Sequence, residues 1–140
     1  MSKVAVACVL IGGMFLGSPL SAQEKAQVEE LVPSGVWKME VRDRVDGEVK
    51  GEARTQSYRL RVIRNRVFGQ PADDEPDRAR LSGEIVVGKA TVVTWRQDNS
   101  NIEGYSSFFT GRVVEKGRIV GTCYDTEGNT SEIVLTFDKK

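Results

Sequence analysis

Histidine is absent from the 140-residue chain. That removes the usual acid–base group near neutral pH and the commonest metal ligand. Of two cysteines, Cys8 lies in an N-terminal apolar stretch, which leaves Cys123 alone in the remainder. One cysteine cannot close an internal disulfide or build a Cys/His zinc site. Stability must therefore come from core and sheet, and no cofactor is implied. Net charge is also missing: 20 basic side chains balance 20 acidic ones, interspersed as in Arg42-Asp43-Arg44-Val45-Asp46. Such a chain has no global field to draw it onto nucleic acid or an anionic membrane. The one long apolar run, Val4 to Leu16, has thirteen residues and is broken by Gly12 and Gly13. Spanning a bilayer takes about 20, so no membrane span is expected.

What is present begins with an export signal. Lys3 supplies a positive n-region, the Val4–Leu16 run an apolar centre, and Gly17-Ser18-Pro19-Leu20-Ser21-Ala22 a small, helix-breaking approach to cleavage. Residues 1–22 thus read as a signal peptide cut after Ala22, which predicts a periplasmic or secreted protein. The alternative is a buried N-terminal helix. Ala5-Val6-Ala7-Cys8 has the look of a lipidation box, but too few residues precede Cys8 to form the apolar segment it requires.

Residues 23–34 are expected to form a tether or one short helix, and residues 35–140 a single domain. From Gly35 onward the period is two. Trp37, Met39 and Val41 alternate with Lys38, Glu40 and Arg42, and Tyr58, Leu60 and Val62 with Arg59 and Arg61. The same parity links Leu81, Ile85 and Val87, then Val93 and Trp95, then Tyr105, Phe109 and Val113, then Ile119 and Cys123, then Ile133, Leu135 and Phe137. Turn signals separate these runs at Asp46-Gly47, Gly88-Lys89, Asp98-Asn99-Ser100-Asn101, Lys116-Gly117 and Glu127-Gly128-Asn129. With a short stretch around Val67-Phe68-Gly69 this predicts an all-β, antiparallel meander of about eight strands.

Three of these strands carry a glycine on the apolar parity: Gly83, Gly111 and Gly121. Glycine weakens an isolated strand by roughly 0.5–1 kcal/mol relative to alanine, so its repetition calls for a reason. Inward glycines let a strongly coiled sheet bend without side-chain clash, which predicts a closed barrel. A flat sandwich with glycines at sheet crossings is the alternative. An eight-stranded barrel encloses space that side chains fill or that one small ligand occupies.

Gly35-Val36-Trp37, opening the first strand of such a meander, resembles the start of the lipocalin-like (calycin) barrels. The resemblance implies a tryptophan closing one barrel end and a small, mostly apolar molecule held in the mouth. Small exported inhibitors of proteases or lysozymes use similar barrels, which gives a second reading. On the first, Trp37, Tyr58, Trp95, Tyr105 and Phe109 are the candidate ligand-binding residues. On the second, a secreted partner protein meets Arg59, Arg61 and Phe108. Phe108 has the opposite parity to Phe109, so one of the two points outward. The chain is expected to act as a monomer.

Other constellations have plainer readings. Pro71-Ala72-Asp73-Asp74-Glu75-Pro76-Asp77 has oxygen ligands enough for calcium, but its spacing fits no known calcium loop and prolines bracket it. Asp125-Thr126-Glu127-Gly128-Asn129 reads as a hairpin turn whose backbone Asp125 holds. Asp98 and Glu103 are the best pair of carboxylates for a hydrolase, though neighbouring acids are common by chance in a short chain with twenty of them. Cys123 reads as a buried structural thiol. Arg59, Arg61, Arg64 and Arg66 form a basic cluster suited to an anionic ligand or acidic partner, or to a solvated face. The expectation is a non-enzymatic binding protein without a metal.

Overall fold

A computed structural model of the chain describes residues 20–72, 80–98 and 103–140. The proposed signal peptide, apart from its last three residues, lies outside these, as does the acidic stretch from Asp73 onward. A helix, α1 (Ala22–Leu31), precedes eight strands. These are β1 (Gly35–Val45), β2 (Glu48–Ile63), β3 (Arg66–Pro71), β4 (Arg80–Val86), β5 (Val92–Asp98), β6 (Ser106–Glu115), β7 (Arg118–Asp125) and β8 (Thr130–Lys139). Each pairs antiparallel with the next, and β1 pairs with β8, closing the meander into a barrel. No helix among the described residues is long and apolar enough to cross a membrane.

Closure follows from parity. Trp37 lies opposite Tyr58 on β2 and Phe137 on β8, and Met39 opposite Leu135, so the first and last strands present matching apolar faces. The hairpin turn at Asp46-Gly47 has positive φ at both central positions, 54° and 81°, as tight two-residue hairpins require. β2 is longer than its apolar alternation suggests. Its first half, from Glu48, is polar on both faces and extends the β1–β2 hairpin past the barrel wall, where Val45 and Val49 are exposed. Among the described residues the β3–β4 ladder is the shortest, running from Arg66↔Glu84 to Gly69↔Leu81.

The inward glycines mark the tightest packing. A Cβ on Gly83 would run into the carbonyl of Thr94, one on Gly111 into the Phe109 ring, and one on Gly121 into the carbonyl of Thr110. Gly111 and Gly121 face each other across β6–β7. The Phe109 ring lies over them and stacks on Trp95, centroids 4.0 Å apart and planes 23° from parallel. Chain curvature and a filled interior thus have one cause: side-chain volume is removed where strands converge and returned as two stacked aromatics.

One barrel end is covered by α1. Val28 and Val32 are fully buried in the same cluster as Trp37, Leu60, Ile119 and Leu135. Leu31 carbonyl accepts from Gly117 N–H in the β6–β7 turn at 3.0 Å. Trp37 Nε1 donates to Pro33 carbonyl at 2.9 Å, and its ring meets Phe137 edge-on at 5.6 Å. At the start of α1 in the uncleaved chain, Ser21 Oγ accepts from Glu24 N–H and the Glu24 carboxylate accepts from Ser21 N–H, a reciprocal cap that cleavage after Ala22 would remove.

Candidate functional site

At the opposite end the inward-facing positions turn polar strand by strand. Trp37, Met39 and Val41 on β1 give way to Asp43 beyond a bulge; Leu60 and Tyr58 on β2 give way to Gln56 and Arg54. On β5, Val93 and Trp95 lead to Gln97; on β6, Phe109 leads back to Ser107. On β7, Ile119 leads to Cys123 and Asp125; on β8, Leu135 and Ile133 lead back to Ser131. The apolar series fills the barrel and the polar series rings its mouth.

The ring encloses a funnel. An inner chamber of about 150 Å³ is floored by Met39, Val41 and Ile133 and walled by Gln56, Gln97 and Ser107. It opens to a cup of about 420 Å³ beside Arg44, Asp43 and Thr130. Arg54, Tyr105, Asp125, Asn129 and Ser131 line both spaces. The cup falls in the usual size range of ligand pockets and the chamber below it.

Hydrogen bonds hold this lining in place. Asp125 Oδ1 accepts from the N–H groups of Glu127 and Asn129 at 3.0 and 2.8 Å, so the β7–β8 turn is built on this carboxylate. Its Oδ2 accepts from Tyr105 hydroxyl and Asn129 Nδ2, both at 3.1 Å. Burial alone would raise the Asp125 pKa, but the donors from Asn129, Tyr105 and Glu127 outweigh it and hold the carboxyl below its ordinary range. Burial, then the bond to Asp125, pushes the Tyr105 phenol up to about 12. Arg54 pairs with Asp43 at 2.9 Å and Arg44 with Glu132. Gln97 Nε2 donates to the Tyr58 hydroxyl at 2.8 Å, tying the mouth ring to the core beneath.

Of the five aromatics expected to bind ligand, the structure brings Trp95 and Phe109 together as the stacked centre of the interior. Trp37 lies at the end under α1, and Tyr58 is buried with its hydroxyl against Gln97. Tyr105 alone of the five lines the funnel. Arg59, Arg61 and Phe108 project from the outer wall, with Phe109 as the inward member of its pair. Arg54, Gln56, Gln97, Ser107 and Ser131 complete the funnel without having been singled out from sequence, together with Asn129, which sequence reading placed only in a turn. The signal for most of them was a polar residue on the apolar parity near a strand end.

Asp98 is held by Ser106 Oγ at 2.6 Å and Arg96 Nε at 2.8 Å, which lower its pKa. Such a carboxylate is a poor proton donor near neutral pH. Glu103 is exposed in the β5–β6 connection. Burial raises the Cys123 thiol against the opposing bond from Ser107, so it stays protonated and weakly nucleophilic. No protein-family model matches the chain, and no curated protein matches it.

Proposed function

We propose that this is an exported, non-enzymatic binding protein that holds a small ligand in the open mouth of its barrel. The observation that carries the reading is the polar ring that the described residues place at the mouth, above an apolar floor. A molecule that fits it has a narrow apolar end resting on Met39, Val41 and Ile133. Its polar part meets Arg54, Gln56, Gln97 and Asn129. A wholly apolar ligand, as resemblance to the lipocalin-like barrels implies, would leave Gln56 and the spare donors and acceptors of Arg54, Gln97 and Asn129 unmatched, at a cost of about 1–3 kcal/mol for each group it buries. Kinship with those barrels is part of the proposal, supported by Gly35-Val36-Trp37 and by the closed eight-stranded meander. The lowered Asp98 and Asp125 carboxyls and the protonated Cys123 support a role without catalysis. Export is supported by the leader pattern of residues 1–22.

Native mass spectrometry of protein purified from its own host tests the reading. The expected result is a retained small molecule that is lost in Gln56→Ala/Gln97→Ala while the fold persists by circular dichroism. An empty wild-type protein, or equal occupancy in the variant, would refute it. N-terminal sequencing of the same sample checks export, with Gln23 as the expected first residue.

A further inference from the structure

We propose that the outer wall across β2–β5 is a second, separate surface, a docking site for an acidic segment of a partner protein. Register places its side chains in rows. Arg61 lies opposite Phe68, Phe68 opposite Ser82, Ser82 opposite Arg96, Arg96 opposite Phe108 and Phe108 opposite Tyr124. That row crosses from β2 to β7, roughly 24 Å along the wall at the usual strand spacing. In a parallel row Arg59 lies opposite Gln70, and Arg80 opposite Asp98. Where the β3–β4 ladder stops at Gly69↔Leu81, the wall opens into a groove of about 470 Å³. It is bordered by Arg59, Arg61, Arg80, Phe68, Gln70 and Asp98.

Among the described residues, the arginines of this groove go unanswered. Arg59, Arg61 and Arg80 make no ion pair with any described residue. Asp98, the only acid among the groove's described residues, is engaged by Arg96 and Ser106. On β1 and the first half of β2, by contrast, Lys38, Arg44, Lys50 and Arg54 each face a carboxylate. Three guanidinium groups with no ion pair among the described residues, around one groove, form a receptor for carboxylates, which Arg grips in bidentate fashion.

Apolar contact lies alongside. Phe68 is 40% exposed under Arg66, and Tyr124 is 55% exposed with its ring stacked on Phe108 at 5.2 Å. Arginine beside aromatic residues is the composition of energetic centres in protein interfaces. A nucleic acid fits less well, because the balanced net charge supplies no surplus to release the counterions of a polyphosphate.

Fluorescence anisotropy of the full chain with a labelled deca-glutamate peptide tests the assignment. Saturable binding is expected, weakened roughly tenfold by each Arg→Ser change at Arg59, Arg61 and Arg80. It should be unchanged in Gln56→Ala/Gln97→Ala, which keeps this surface distinct from the mouth. No binding, or equal affinity in the triple variant, overturns the proposal. So does tighter binding of heparin or oligo-dT than of the peptide. Binding that emerges only when Asp73, Asp74, Glu75 and Asp77 are replaced by their amides also overturns it, since the arginines then answer the chain's own acids.

Discussion

Under α1 the inward positions of the barrel are Trp37, Leu60, Ile119, Leu135 and Phe137; at the mouth the inward positions are Arg54, Gln56, Gln97, Ser107 and Ser131. The helix end is dry because every apolar group meets another. Its one deep donor, Trp37 Nε1, is answered by Pro33 carbonyl. The mouth is wet because its groups answer one another only in part, through Asp125, Tyr105 and Asn129. The barrel is thus apolar and helix-covered at one end and polar at the other, and the proposed function places recognition at the polar end.

Substitutions at the two ends should separate these roles. Trp37→Ala carries the largest expected effect, a loss of about 3–5 kcal/mol in chemical denaturation, from the cavity and the orphaned Pro33 carbonyl. Gly121→Ala sits between the ends, where a Cβ would meet the Thr110 carbonyl. It should cost about 1–3 kcal/mol by the same measurement, through strand displacement. A cost below about 0.5 kcal/mol would mean that the strands do not converge there.

Acid should loosen the mouth before the helix end. The folded pKa of Asp125 lies below the ordinary 3.8, so its stabilising contribution is complete above that value. It is lost as pH falls through the folded value, and Asp125→Asn should abolish that part of the acid response. In alkali the sign reverses. Tyr105, raised to about 12, favours the folded state below its ordinary value of 10.0 and loses that preference as pH rises through about 12. Absorbance titration of wild type against Tyr105→Phe reads the late phenol directly. The smallest effect is expected from Gln56→Ala/Gln97→Ala, where stability should shift by about 0.5 kcal/mol or less per residue. A larger loss would make the polar ring structural rather than recognitive.

The barrel was legible because its logic is local. Alternation from Gly35, turn residues such as Asp46-Gly47 and the parity of Gly83, Gly111 and Gly121 all follow from the pleat and its curvature. Two things were not. The first half of β2, with no apolar face, carries no alternation signal; it is a strand because its hairpin partner β1 holds it there. The mouth ring depends on depth along the barrel axis, which parity does not encode. Gln97 has the same parity as Trp95 and differs only in being one step nearer the opening. Aromatics were therefore read as ligand contacts where the structure uses most of them as filling.

The short β3–β4 ladder bears on the barrel as a mechanical object. A closed hoop yields first at its narrowest joint, and among the described residues this one is cross-linked only from Arg66↔Glu84 to Gly69↔Leu81. The β1–β2 joint, by contrast, runs from Gly35↔Leu60 to Val45↔Glu48. Local opening should begin at the narrow joint, parting the cylinder beside Arg59, Arg61 and Arg80 while the joints on its far side stay fastened.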